Sequence, residues 1–197
     1  MLEDLLTQED AEAILAPHRA ALFSFLREGW GDWHKVVAAA PMLATSRATS
    51  RANVVYDRVT ERAETYFEGQ GIHTTRARGF LAVSLGEGRL VLRFKKFQGK
   101  SLRTSGIPTA QRLEIERQQV ALDGLVSTYV VVGYLPDDLG VDLDVLAVAC
   151  TYNGSLVWQI DLRDDATAAV APVRVTSPQG PIVRSTRPAA QQEQTEG

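Results

Sequence analysis

The sequence FLAVSLGEGRLVLRFKKF, residues 80–97, decides the fold class of this 197-residue chain. Apolar residues recur at every second position on both sides of Gly86-Glu87-Gly88, and a period of two is typical of β-strands. The two glycines predict a tight turn, so we expect the strands Phe80–Leu85 and Arg89–Phe97 to form a hairpin. This stretch therefore places a β-sheet in the middle of the chain.

Helical periodicity precedes the hairpin. Thr7, followed by two acids, predicts the cap of a first helix, because acids in the first turn interact well with the helix dipole. A second helix is predicted from Pro17 to about Ala39, with a bend at its glycines, and a third from about Ser46 to Phe67, where Gly69-Gln70-Gly71 is a stop signal. The apolar stripe of the second helix consists of Leu22, Phe25, Leu26, Trp30 and Trp33.

The elements around the hairpin complete an α+β pattern. They are a strand over Ile72–Arg78, a loop over Gln98–Ile107, a helix from Pro108 to about Gln119, a strand over Ser127–Leu135, and two strands, Val141–Tyr152 and Ser155–Leu162, joined by an Asn153-Gly154 hairpin turn. The predicted order is αααβββαβββ, with the N-terminal helices packed on a mostly antiparallel sheet of about six strands.

Composition divides the chain into three parts. We expect an N-terminal helical segment at 1–45, an α+β core domain at 46–165 and a flexible tail at 166–197. The tail holds four of the eight prolines and no aromatic residue, which is typical of a disordered segment. Val170, Val173 and Val175 leave open the alternative that part of it docks as an edge strand.

The same composition restricts cellular location and cofactors. No apolar stretch approaches the ~20 residues that span a bilayer, and the acidic start does not resemble a signal peptide, so we expect a cytoplasmic protein. The single cysteine, Cys150, cannot form an internal disulfide. Three scattered histidines, His18, His34 and His73, lack the spacing of metal ligands, so no metal or other cofactor is expected.

Charge is segregated along the chain although the net charge is only -3. Residues 1–46 carry a net charge of -4, residues 47–117 carry +7 and residues 118–197 carry -6. A basic block of this kind can face a polyanion such as nucleic acid. It can equally be neutralised by the acidic flanks or by an acidic partner protein.

Four arginines form a stripe on the third helix. On a helical wheel, Arg47, Arg51, Arg58 and Arg62 fall at about 0, 40, 20 and 60°. The planar guanidinium group suits phosphate oxygens, so this stripe is a candidate nucleic-acid contact. The alternative is structural: the arginines border the core and pair with Asp57 or Glu61.

A second basic cluster lies on the predicted strands. Alternation places Arg89, Val91, Arg93 and Lys95 on one face of their strand, and Leu90, Leu92 and Phe94 on the other. Arg76 and Arg78 share a face of the earlier strand, and Lys96, Lys100 and Arg103 extend the charge toward the loop. Unpaired buried charge is costly, so this face is solvated, covered by acids or bound to an anion. A charged strand that resists aggregation is the structural alternative.

Catalytic motifs are incomplete. Gly99-Lys100-Ser101 resembles the end of a P-loop, but Phe94 stands where that loop needs glycine. The order of elements from Ser46 to Leu135 is similar to the core of PD-(D/E)XK nucleases, and Lys95 matches the lysine of that family. Arg93 occupies the place of its metal-binding acid, however, and only Glu87 and Glu64 could substitute. A divergent nuclease-like enzyme is therefore a lesser alternative.

Four segments together resemble a family of small uncharacterised bacterial and phage proteins. They are Arg51-Ala52-Asn53-Val54-Val55-Tyr56-Asp57, Leu92-Arg93-Phe94-Lys95-Lys96, Ile107-Pro108-Thr109 and Val132-Gly133-Tyr134, within about Ser46–Leu162. Members of that family are often encoded beside a helix-turn-helix regulator of the xenobiotic-response-element type and are sometimes fused to a zinc-peptidase domain. The resemblance implies a toxin-antitoxin or phage-related system, and it assigns no catalytic residue.

The sequence therefore predicts a non-catalytic module with a basic surface that faces nucleic acid. The alternative is a protein-interaction partner of a DNA-binding regulator, and no membrane contact is expected. The predicted nucleic-acid or anion-binding residues are Arg47, Arg51, Arg58, Arg62, Arg76, Arg78, Arg89, Arg93, Lys95, Lys96, Lys100 and Arg103.

Overall fold

A computed structural model describes residues 5–77, 79–99, 101–104 and 127–163. In these residues three α-helices precede a mixed sheet of seven strands, which confirms the α+β class and the N-terminal position of the helices. The helices are α1 (Gln8–Leu15), α2 (Arg19–Ala39) and α3 (Ala48–Gly69), with 3-10 turns at Ala16–His18 and Pro41–Thr45. The strands are β1 (Thr74–Ala77), β2 (Phe80–Leu85), β3 (Leu90–Gln98), β4 (Arg103–Thr104), β5 (Thr128–Pro136), β6 (Leu143–Tyr152) and β7 (Ser155–Asp161).

The sheet has the strand order β1-β2-β3-β5-β6-β7, with β4 paired to the end of β3. Both predicted hairpins are present, since β2 pairs antiparallel with β3 and β6 pairs antiparallel with β7. At the second hairpin, Asn153 and Gly154 have φ angles of 48° and 76°. Positive φ at both central residues is the geometry that Asn-Gly favours.

The sheet differs from the prediction in two respects. The short strand β4 lies inside the predicted loop Gln98–Ile107, and β3 pairs with β5 in parallel. Parallel neighbours need a long connection, which the 29 residues 99–127 supply, whereas the alternation within one strand does not indicate the direction of its neighbour.

Several predictions fall outside the described residues. The helix predicted for Pro108–Gln119 and the flexible tail predicted for 166–197 both lie there. The order αααβββαβββ and the domain boundaries at residues 45 and 165 therefore stay predictions.

The two faces of the sheet have different environments. Leu90, Leu92 and Phe94 of β3 are buried in the same core as α2 and α3, as their alternation predicts. Arg93 and Lys95 alternate with them and project from the opposite face. On that face a smaller apolar cluster contains Phe97, Leu102, Ala147 and Ala149. The cations of β3 therefore lie beside an apolar surface and away from the helices.

Close packing of α2 on α3 positions the helical side chains. Gly29 of α2 faces Val59 of α3 so closely that a Cβ atom at Gly29 would lie 2.6 Å from the Val59 Cγ2 atom. The helix α2 runs without interruption from Arg19 to Ala39, and the bend expected at its glycines stays a prediction. Glycine at position 29 permits the approach of the two helices.

Hydrogen bonds connect the helices to their neighbours. The Thr7 hydroxyl accepts a hydrogen bond of 3.2 Å from the Asp10 amide, which confirms the predicted cap of α1. The Tyr56 hydroxyl of α3 donates to the Gly79 carbonyl at 3.0 Å and accepts from the Leu81 amide at 3.1 Å. These two bonds attach α3 to the turn between β1 and β2.

Candidate anion-binding surface

Two arginines of the predicted stripe on α3 are paired with acids. Arg62 donates to Glu28 at 2.9 Å and to Asp32 at 2.5 Å, both on α2. Arg58 lies 2.9 Å from Glu61, one of the acids that the structural alternative named. The charges of Arg58 and Arg62 are thus compensated within the chain, which makes them weak candidates for phosphate contacts.

Arg76 of β1 is also neutralised by a carboxylate. Its guanidinium donates two hydrogen bonds to Glu64 of α3, at 2.8 Å and 2.7 Å. These bonds hold the pKa of Glu64 below its ordinary value. A bidentate arginine–carboxylate pair of this kind links the helix to the edge strand.

Arg93 has a different environment. Its guanidinium carbon lies 4.6 Å from the ring centroid of Phe80 on β2, and the Lys95 ammonium lies 4.8 Å from the same centroid. In the part of the chain that the structure describes, no carboxylate is within ion-pair distance of Arg93. Burial lowers the pKa of this half-buried guanidinium, which means that its surroundings disfavour the charge that it carries.

Strand register explains why Arg93 lacks an acidic neighbour. Cross-strand partners are the side chains that most readily pair with a residue in a sheet. The partners of Arg93 are Ala82 on β2 and Val131 on β5, and the partner of Lys95 on β5 is Gly133. All three are uncharged and small or medium in size, so the register partners of Arg93 do not neutralise it.

Arg51 and Lys96 are separated from this cluster and lie on the helix side of the sheet. Arg51 lies over the indole ring of Trp30, at 5.2 Å from its centroid, and donates to the Gly140 carbonyl at 3.4 Å. Lys96 is the register partner of Tyr134 on β5. The predicted basic surface is therefore two separate groups of cations on opposite faces.

The other predicted cations are more exposed or lie outside the described residues. Arg47 is the exposed residue before α3, and Arg103 is exposed on β4. Arg89 is exposed, and its Nε atom donates to the Gly86 carbonyl at 3.3 Å. Arg78 and Lys100 lie outside the described residues.

The described residues offer no metal centre of the nuclease type. Among them, no group of three or more His, Cys, Asp or Glu side chains is arranged to hold a metal ion. Glu64 is engaged by Arg76, and Glu87 lies in the turn before β3 with a φ of 60°. Arg93 stands at the position where a PD-(D/E)XK nuclease has a metal-binding acid, and a cation cannot bind a metal ion.

Sequence reasoning missed two aromatic residues of these sites. Phe80 shares one face of β2 with the small residues Ala82 and Ser84. A single aromatic ring on such a face could have indicated from the sequence that Phe80 contacts the cations of β3. Tyr134 was interpreted as part of a buried strand and of the Val132-Gly133-Tyr134 segment, and not as a site residue. Its proximity to Trp30, with ring centroids 5.8 Å apart, depends on tertiary packing.

Comparisons with protein families, with curated proteins and with solved structures find no match to this chain. The resemblance noted over Ser46–Leu162 stays a prediction. No helix in residues 5–77 or in the other described ranges is long and apolar enough to cross a membrane. Function therefore has to be inferred from the side chains themselves.

Proposed function

We propose that this protein is a non-catalytic nucleic-acid-binding module that contacts phosphates through the sheet face around Arg93 and Lys95. One observation carries the proposal. The half-buried Arg93 guanidinium lies over Phe80 without a carboxylate partner among the described residues.

The energetics of an uncompensated cation support an anionic ligand. Arginine stays protonated at all physiological pH values, so Arg93 carries its charge even where burial disfavours it. A partly desolvated charge without a partner destabilises the fold, and a bound anion removes that penalty. Arg62 and Arg76, which have acidic partners in the chain, offer no such gain.

Phe80 prepares the two cations for binding. Cations within about 6 Å of an aromatic centroid are attracted by the ring. Both the Arg93 and the Lys95 charges satisfy this distance, so their side chains are held at one place before a ligand arrives. Less side-chain entropy is then lost on binding.

The charge of the surrounding segment favours a polyanion. Residues 47–117 have a net charge of +7, and β3 lies within that segment. A positive segment of this kind attracts a nucleic acid over a distance of about one Debye length, ~8 Å at physiological salt. The flanking segments carry net charges of -4 and -6, so the excess positive charge is concentrated in this part of the sequence.

The test is the salt dependence of nucleic-acid binding. Fluorescence anisotropy with labelled duplex DNA and single-stranded RNA, at several salt concentrations, gives the slope of log K against log salt. Each lost phosphate contact reduces the slope by ~0.9 for duplex DNA and ~0.7 for single strands. The double variant Arg93→Gln, Lys95→Gln should therefore bind more weakly and with a shallower slope.

A control variant separates a specific contact from general electrostatics. Arg58→Gln with Arg76→Gln changes the net charge by the same amount but removes arginines that acids already neutralise. We expect this control to bind nearly as the wild type does. No binding by the wild type at low salt, or equal weakening in both double variants, would contradict the proposal.

A second candidate function rests on the groove between α2 and α3. This open groove of about 570 Å³ is lined by ion-paired side chains, among them Glu28, Asp32, Glu61, Arg58 and Arg62. Such a surface suits a charged partner protein, and the expected one is a DNA-binding regulator. Arg58→Glu with Glu61→Arg keeps the local ion pair and inverts its orientation. Loss of co-purification with the product of the neighbouring gene would support this function, and no complex with the wild type would exclude it.

A further inference from the structure

Arg51 and Lys96 bring a second pair of cations to the helix side of the sheet. The Arg51 guanidinium lies over Trp30, whose ring is 5.8 Å from that of Tyr134, and Tyr134 is the register partner of Lys96. Burial lowers the pKa of Lys96, and the charge of Arg51 lowers it further, so the two cations are close enough to repel each other. Negative charge placed beside them would relieve this repulsion.

The described residues do not supply that charge. No carboxylate there lies within ion-pair distance of Arg51 or Lys96, and the polar partner of Arg51 is the carbonyl of Gly140. Two acids of the nearby loop accept hydrogen bonds from backbone amides of that loop. Asp137 accepts a hydrogen bond of 2.7 Å from the Val141 amide, and Asp142 accepts one of 2.8 Å from the Leu143 amide.

The Tyr134 hydroxyl is an independent sign of a missing ligand. The Tyr134 side chain is only 3% exposed, and its hydroxyl has no hydrogen-bond partner among the described residues. Buried tyrosine hydroxyls usually have a partner, because the loss of hydrogen bonds to water must be compensated. Tyr134 thus has a donor hydrogen available for an acceptor.

A small cavity borders Tyr134. It has a volume of about 10 Å³ and is lined by Tyr134, Lys95, Lys96, Tyr56 and Ala52, together with apolar side chains. This space holds one atom the size of a water oxygen. An oxyanion could therefore place one oxygen in the cavity while its other oxygens stay outside.

We propose that Arg51, Lys96 and Tyr134 form a binding site for a single phosphate group, inorganic or at the end of a phosphate monoester. One phosphate oxygen fills the cavity and accepts the Tyr134 hydrogen. The Arg51 and Lys96 charges compensate the remaining oxygens. Arg93 lies on the other face of the sheet, so this site is independent of the nucleic-acid surface proposed above.

Isothermal titration of the full chain with inorganic phosphate, against chloride of equal ionic strength, tests the site. A parallel titration with a nucleoside monophosphate distinguishes free phosphate from a monoester. Tyr134→Phe keeps the ring and removes only the donor, so we expect roughly tenfold weaker phosphate binding, the usual effect of losing a hydrogen bond to a charged group. Lys96→Met should weaken binding at least as much.

Two further variants make the result specific. Arg89→Gln removes an exposed arginine outside the site, and Arg93→Gln removes a cation on the other face of the sheet. Both should bind phosphate as the wild type does. Thermal unfolding without phosphate should show that Tyr134→Phe is at least as stable as the wild type, because the lost hydroxyl has no hydrogen-bond partner in the part of the chain that the structure describes.

The proposal is overturned if phosphate binds no better than chloride, which would assign the cavity to a water molecule. It is also overturned if Tyr134→Phe binds with wild-type affinity. Loss of phosphate binding in Arg93→Gln would instead place the phosphate at Arg93.

Discussion

Gly29 and Gly31 of α2 offer a matched test of the packing of α2 on α3, which places Arg62 between Glu28 and Asp32. A Cβ atom at Gly29 would lie 2.6 Å from the Val59 Cγ2 atom and 3.4 Å from the Val55 carbonyl oxygen. A Cβ atom at Gly31, one half-turn away, would have nothing within 4 Å. Both are interior positions of the same helix, so both substitutions to alanine gain the same helix propensity, about 0.8–1 kcal/mol.

The two variants should therefore differ by the cost of the contact with Val59. Val59 is 2% exposed and packed in the core, so it can move only by disturbing its neighbours. Overpacking of this kind costs ~1–3 kcal/mol. We expect Gly31→Ala to raise the free energy of unfolding by up to ~1 kcal/mol, and Gly29→Ala to lower it by ~0–2 kcal/mol.

Urea denaturation followed by circular dichroism measures both free energies. The double variant Gly29→Ala, Val59→Ala also removes the methyl group that a Cβ atom at Gly29 would contact. It should therefore be more stable than the sum of the two single changes predicts, and the difference is the coupling energy of this contact. Equal stabilisation by Gly29→Ala and Gly31→Ala would refute the close approach of α2 and α3 and, with it, the placement of Arg62 between Glu28 and Asp32.

Three more predictions concern stability and reactivity. Thr7→Ala removes the hydroxyl that accepts from the Asp10 amide, so the free energy of unfolding in urea should fall by ~0.5–2 kcal/mol. Burial raises the pKa of the Cys150 thiol to about 12, so a disulfide reagent at neutral pH should react with it only after unfolding, and rapid reaction of the native protein would contradict its burial. Hydrogen bonds from Arg76 lower the pKa of Glu64 from its ordinary 4.5, so this pair stabilises the fold above that pH and the contribution is lost as the pH falls through the folded-state pKa. Because the pair is near the surface, acid unfolding of Glu64→Gln should show a pH dependence reduced by at most ~1 kcal/mol relative to the wild type.

The two proposed sites use cations in different ways. Arg93 and Lys95 lie on one face of β3 beside uncharged neighbours, an arrangement that suits a phosphate backbone. Lys96, the next residue of the same strand, projects to the other face and meets Arg51 near a buried hydroxyl. A single strand thus supplies both faces of the sheet with positive charge, and the variants described above address each face separately.

Local features of the fold could be predicted from the sequence. The alternation in β3, the Asn153-Gly154 turn and the Thr7 cap each depend on residues a few positions apart, so the chain specifies them without reference to distant parts. The ion pair of Arg58 with Glu61 is also local, because residues three apart are neighbours on a helix.

Only the tertiary structure decided which cations remain available for a ligand. Arg62 is neutralised by acids of α2 about 30 residues away. Arg93 has no carboxylate partner among the described residues, because register places Ala82 and Val131 beside it. The parallel pairing of β3 with β5 likewise brings Lys96 to Tyr134. Helix periodicity and strand alternation determine which way a side chain points, but helix packing and strand register determine what it meets. Charge compensation depends on helix packing and strand register, because Coulomb energies fall with distance in space. Two groups that are close in space can be far apart in the sequence.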